Sequence, residues 1–129
     1  MKVVRIEHPI STKGPFNHKF DGKTMDPKGL KRLNKRHCRK MSNPFEEGLV
    51  TYGSDFRCAY ISLSVMYEFI TKKELSLLVN KWGFRVSIIE VMIFSKGLYQ
   101  VTFEPKHVIS KYDITEVVVT EESCEDINF

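Results

Sequence analysis

Arg5, Glu7 and His8 place a guanidinium, a carboxylate and an imidazole within four residues near the start of the chain. Such a set can bind an anion, orient a substrate or move a proton, since a neutral imidazole serves as a general base near pH 7. Val4, Ile6 and His8 alternate with Val3, Arg5 and Glu7, which predicts a short strand closed by Pro9. Period 2 then puts Arg5 and Glu7 on one face and His8 on the other, so all three converge only if the chain bends at Pro9. The plainer role for His8 is to close the strand, with its ring hydrogen-bonded to backbone.

Other chemistry is less well supported by spacing. His18, Asp21, Asn34 and His37 are residue types that a metal nuclease uses, but the spaced ligands on a hairpin and helix are missing. Cys38, Cys58 and Cys124 are odd in number and far apart, without a Cys-x-x-Cys pair, which argues against a disulfide framework and a zinc knuckle. No metal and no cofactor is expected on these grounds. Cys58 precedes Ala59 in an apolar strand and reads as a buried small residue rather than a nucleophile. Gly14, Gly22 and Gly29 are too scattered to form a phosphate-binding loop.

The clearest signal is charge. Residues 1–40 carry 12 Lys or Arg against three acids, whereas residues 41–129 carry eight against 13. Lys28, Lys31, Arg32, Lys35, Arg36, Arg39 and Lys40 fall within 13 residues with no acid among them, and beyond Lys111 there are six acids and no base. Asp26-Pro27 can cap a helix reaching to about Met41, with Leu30, Leu33, His37 and Met41 on one stripe. Like charges at i, i+4 on its other faces cost roughly 0.2–0.5 kcal/mol each, so an anionic partner would favour this helix. Seven cations over that length can contact several phosphates, each contact adding a salt-dependent increment. No aromatic residue lies between Phe20 and Phe45, so stacking on bases is not expected. Residues 19–41 thus form a candidate basic arm for an acidic protein or nucleic-acid phosphates, and the acidic tail at 121–129 is expected to be mobile and able to screen it.

The remaining elements must supply the body. Leu49–Tyr52 and Phe56–Tyr60 read as strands around a turn at Gly53-Ser54-Asp55. Ser62 can cap a helix carrying Leu63, Met66, Tyr67 and Ile70. Thr71-Lys72-Lys73-Glu74 is a capping box ahead of Leu75, Leu78, Val79 and Trp82, and Gly83 fits that helix's C-terminal end. Phe84–Phe94 and Leu98–Phe103 read as an antiparallel pair around Ser95-Lys96-Gly97, with a last strand at Val117–Val119. This predicts one α+β domain over residues 1–129, with a mixed or antiparallel sheet and a central helix pair at 63–82. At 129 residues and 42% hydrophobic content the chain can bury a core unaided. It has no apolar run long enough to span a membrane and no signal-peptide stretch at its start, so a cytoplasmic location is expected.

Ala59 is the single alanine, while Lys, Ile, Phe, Asn and Tyr are plentiful, a bias typical of AT-rich genomes. Arg5-Ile6-Glu7-His8-Pro9 with Gly14-Pro15-Phe16, then Cys58-Ala59-Tyr60 with Ser62-Leu63 and Phe69, then Gly83-Phe84 and Tyr99–Phe103, resemble a family of small uncharacterised phage and prophage proteins. Where members tend to have Leu-Glu-Gln-Leu after the capping serine, this chain has Leu63-Ser64-Val65-Met66. The resemblance implies a viral accessory protein and nothing more; with the basic arm, the expected role is a non-enzymatic host-takeover or anti-defence factor in the host cell, acting on a host protein or nucleoprotein complex. More remotely, Arg5 or His8, then Ser62, then Gln100 are similar in order to the site of the ADP-ribosyltransferase fold. That likeness implies NAD as a ligand and a degenerate transferase or nucleotide binder. Gln100 stands where those enzymes have a glutamate, and an amide cannot accept a proton as a carboxylate does.

Overall fold

The computed structural model describes residues 1–10, 12, 14, 49 and 56–119. The basic arm, the expected strand at 49–52 apart from the buried Leu49, the turn at 53–55 and the acidic tail lie outside the described residues. Among the described residues six strands form one antiparallel sheet: β1 (Lys2–Glu7), β2 (Arg57–Tyr60), β3 (Arg85–Val91), β4 (Ser95–Lys96), β5 (Gln100–Phe103) and β6 (Val108–Asp113). Their spatial order is β4-β5-β2-β1-β3-β6. The N-terminal strand is therefore interior, and its residues Val3 to Glu7 are all buried on both faces. It pairs with β3 over six residues, from Lys2 opposite Glu90 to Glu7 opposite Arg85.

Two capped helices cover one face. In α1 (Leu63–Phe69) the Ser62 hydroxyl accepts the Val65 N–H at 3.1 Å. In α2 (Lys72–Asn80) Thr71 and Glu74 close the capping box reciprocally, at 3.1 and 2.9 Å. These bonds satisfy N-terminal N–H groups that would otherwise lack a partner. Gly83 adopts φ 73°, a left-handed conformation that only glycine takes without cost, and the next residue, Phe84, donates its N–H back to the Leu78 carbonyl. The chain then enters β3 with Phe84 fully buried. Met66, Phe69, Ile70, Leu75, Leu78, Trp82 and Phe84 pack on Val4, Ile6, Tyr60 and Val86. The opposite face carries a second, smaller apolar cluster of Val3, Ala59, Ile89, Val91, Val101 and Phe103.

Three expectations are corrected. The 84–94 and 98–103 segments do not pair: β3 lies between β1 and β6, and β5 lies between β2 and β4. The turn at Ser95-Lys96-Gly97 exists, with Gly97 N–H bonded to the Gln100 carbonyl at 2.8 Å, but it joins the two-residue β4 to β5. Strand β3 ends at Val91, and Met92, Ile93 and Phe94 are exposed, so the apolar run outlasts the strand. Residues 115–119 are helical rather than a strand. Asp113 Oδ1 accepts the Thr115 N–H at 2.9 Å, and the buried Thr115 hydroxyl accepts the Val86 N–H at 2.8 Å. That docking overrides the β preference of the valine run and sends Val118 into the main core. Finally, β6 itself was not expected, because an edge strand with mostly exposed side chains leaves no apolar run to read.

Where β6 meets this last helix, Arg85 donates to both oxygens of Asp113 (2.9 and 3.2 Å) and to Glu116 (3.2 Å). Partial desolvation pushes the Asp113 carboxyl up, but hydrogen bonds from Arg85 and Thr115 outweigh it and hold the carboxyl at about 2. A carboxyl depressed on folding adds stability that is complete above its unfolded value near 3.8 and is lost as pH falls through about 2. The Asp113 side chain is 45% exposed, so solvent screens the pair and the contribution is small. Asp113→Asn should lower the urea midpoint at pH 7, with the gap to the parent closing between about pH 4 and pH 2. For the core, Leu78→Ala should cost roughly 2–5 kcal/mol in the same assay, whereas Leu77→Ala, at a 43% exposed neighbour, should change stability little.

Candidate functional site

On the face away from the helices, the interior strand β1 puts two charged residues where its neighbours put apolar ones. Arg5 and Glu7 are each only 6% exposed. A buried guanidinium must find partners for its donors, and Arg5 finds three. Its Nε donates to Glu7 Oε2 at 2.9 Å, one terminal nitrogen to the Cys58 carbonyl at 2.6 Å, and the other to the Thr12 carbonyl at 2.9 Å. The side chain thus ties β1 to β2 and to the turn that follows β1. That turn is strained: Thr12 has φ 60°, a left-handed conformation that a β-branched residue rarely adopts. Its N–H is bonded to the His8 carbonyl at 2.8 Å while its own carbonyl faces Arg5.

The second Glu7 oxygen is taken by the Lys111 ammonium of β6, which reaches across β3. Burial lowers the Arg5 guanidinium to about 10; the nearby Cys58 partly opposes this, and Arg57 adds to it. Burial also lowers the Lys111 ammonium, and repulsion from Arg5 lowers it further against the pull of Asp113. Arg5, Glu7, Arg57 and Lys111 line a cavity of about 170 Å³ whose other walls include Ile89 and Phe103. Both Glu7 oxygens are engaged by cations, and Arg5 is fixed by Glu7 and two backbone carbonyls, so the arrangement suits holding charge more than proton transfer.

The residues singled out in the sequence are dispersed by this geometry. His8 does not share the Arg5 face: its ring meets the core residue Phe84 edge-on at 5.7 Å, and its Nδ1 accepts the Ile10 N–H at 3.3 Å. It closes the strand. Gln100 is buried and alternates with Val101 and Phe103, so it too lies on the helix face, opposite Tyr60 in the ladder. The Ser62 hydroxyl is occupied as a helix cap. Arg5, Ser62 and Gln100 therefore do not surround a common cleft. Lys28, Lys31, Arg32, Lys35, Arg36, Arg39 and Lys40, like His18, Asp21, Asn34 and His37, lie outside the described residues. Arg57 and Lys111 were missed. Arg57 shares a face with Ala59 by simple alternation, but Lys111 sits on the unforeseen strand β6, and only the sheet order brings it to Glu7.

A small antiparallel α+β protein with a charged cavity on one sheet face is the class that these features define. The chain belongs to the family described as Bacteriophage T4 Y00F protein, whose model matches residues 1–115. The matched span contains all six strands, both capped helices and the basic segment at 28–40, and ends ahead of the acidic tail. Neither the curated proteins nor the solved structures contain a match. Among the described residues no helix is long and apolar enough to cross a membrane.

The charged cluster makes a stability prediction. Removing the acid strands a buried guanidinium, so Glu7→Gln should cost about 3–5 kcal/mol in chemical denaturation. The double change Arg5→Met with Glu7→Leu should be closer to the parent than Glu7→Leu alone, because Lys111 is 47% exposed and can turn to water.

Proposed function

We propose that this phage protein is a non-enzymatic accessory factor that acts in the host cell by binding an anionic macromolecule through Lys28, Lys31, Arg32, Lys35, Arg36, Arg39 and Lys40. The observation that carries this reading is the concentration of seven cations in 13 residues with no acid among them, inside the span that defines the family. Such a segment binds polyanions largely by releasing counterions, so its affinity falls steeply with salt. The absence of aromatic residues in the segment favours contact with phosphates or with an acidic protein surface over readout of bases. A host nucleoprotein complex or acidic host protein, engaged in takeover or in countering defence, fits that chemistry.

The acidic tail belongs to the same reading, since its charge can occupy the arm until a stronger anion displaces it. The test replaces Lys31, Arg32, Lys35 and Arg36 with Gln and measures binding to duplex DNA, single-stranded RNA and an acidic polypeptide across a salt series. The parent should bind at least one of these with a steep slope of log K against log salt. In the variant that slope should fall by roughly one for each phosphate that is no longer neutralised. Affinity that is independent of salt in both proteins would reduce the arm to a solvated surface.

A further inference from the structure

Strand β6 closes one side of the sheet, and among the described residues nothing pairs with its outer edge. The hydrogen bonds show which of its backbone groups point outward. The Val91 N–H donates to the Met1 carbonyl, so odd-numbered residues of β3 bond toward β1 and even-numbered ones toward β6. Val86 fits this pattern, since its carbonyl accepts the Ile114 N–H at 2.8 Å. Ile88 and Glu90 therefore bond to their ladder partners Tyr112 and Ser110, and Lys111 and Asp113 turn their N–H and C=O groups outward. The register shifts between Glu90 and Val91, which leaves Ile109 as a bulge without a ladder partner. The regular part of the open edge is thus Ser110 to Asp113.

An edge of this kind is a template for another strand, and charged side chains are a common protection against that. Here the two charges are drawn inward, Lys111 to Glu7 and Asp113 to Arg85, and the residue between them is Tyr112, 67% exposed. The edge is also complementary to itself. A two-fold axis normal to the sheet sets one residue opposite its own copy, with the strands antiparallel. An axis at Lys111 or at Asp113 would place like charges directly opposite, which destabilises a strand pair. An axis at Ser110 would carry the contact across the bulge at Ile109. An axis at Tyr112 avoids both faults, because Lys111 then faces the copy's Asp113 on either side of it. This register makes hydrogen-bonded pairs of the residues whose backbone groups point outward, each pair exchanging two bonds. Tyr112 falls in the closely spaced, non-bonded pair, where side chains approach nearest.

We propose that β6 is an interface for a second copy of this chain, joined edge to edge about a two-fold axis through Tyr112, so that the two sheets run on as one. A few residues a side is far below the roughly 20–30 a side of a standard interface, so the dimer is weak and reversible. No residue of 28–40 takes part in this contact, and the proposal stands or falls apart from the arm's function.

Sedimentation of the full chain over a concentration series reads the assembly, and amide hydrogen exchange locates it. The parent should pass from monomer to dimer between micromolar and millimolar concentration. At the upper end the Lys111 and Asp113 amides should exchange about tenfold or more slowly, because they gain partners only in the dimer. Tyr112→Lys puts two ammonium groups on the axis and should weaken the dimer about tenfold or more, with the melting temperature of the dilute protein unchanged. Tyr112→Cys should give an oxidised dimer linked through the new thiol, because Cα atoms about 4.5 Å apart across a non-bonded pair are within disulfide reach. Ser110→Cys should not link, and the four-Gln arm variant should dimerise as the parent does. A parent that stays monomeric at every concentration overturns the proposal and leaves the edge to a strand of another protein. A dimer that Tyr112→Lys leaves intact, or that links through Ser110→Cys in place of Tyr112→Cys, overturns it too. So does a dimer lost in the arm variant, since the arm then holds the copies together.

Discussion

A guanidinium in the middle of a sheet fixes more of this molecule than any apolar contact does. Strand β1 has a strand on each side and both faces covered, so Arg5 is almost wholly removed from bulk water. Its donors must be met by protein, and the groups that meet them come from β1 itself, from β2 and from the turn after β1. Glu7 in turn brings Lys111 over β3 from the sheet edge. The pair thereby ties the first strand to β2, to the turn after β1 and, through Glu7, to β6. The cost of burying charge is high enough that such a cluster does not accumulate by accident. A buried ion cluster of this kind is weak evidence for stability, and its best-attested use is conformational specificity.

The two faces of the sheet accordingly do different work. The helix face is a conventional core in which capped helices lay Leu75, Leu78 and Trp82 over Val4, Ile6 and Val86. The opposite face splits into an apolar half and a charged half, and the cavity opens where the two meet. Because strand residues alternate, the same five buried positions of β1 feed both environments.

What the sequence makes legible follows from the range of each signal. Ser62, Thr71 with Glu74, and Gly83 act within four residues of themselves, and the helices and their caps are found where those residues place them. The alternation of β1, its end near Pro9 and the separation of His8 from Arg5 are local too. Strand pairing is not local. Nothing near residue 90 says that its partners are residues 2 and 110, and the turn at Ser95–Gly97 points to a hairpin without saying which strand enters it. Val117 to Val119 has strand composition, yet a threonine bonded to the neighbouring backbone makes it helical. The site was half legible for the same reason: Arg5 and Glu7 lie two residues apart, whereas Arg57 and Lys111 join them only through the sheet.

The chain thus has two concentrations of positive charge with opposite physical character. The cations of the 28–40 segment are close in sequence, long-stemmed and without local acids, which suits a partner bound through long-range, salt-sensitive attraction. The cations beside Glu7 are distant in sequence, held by strands and backbone carbonyls, and partly or wholly shielded from solvent. Salt screens the buried Arg5 weakly, since a Debye length of about 8 Å at physiological ionic strength applies to charges in water and not to those beneath a surface. The family match spans both regions and stops short of the tail. Both cationic regions lie within the matched span, and the acids of residues 121–126 lie beyond it.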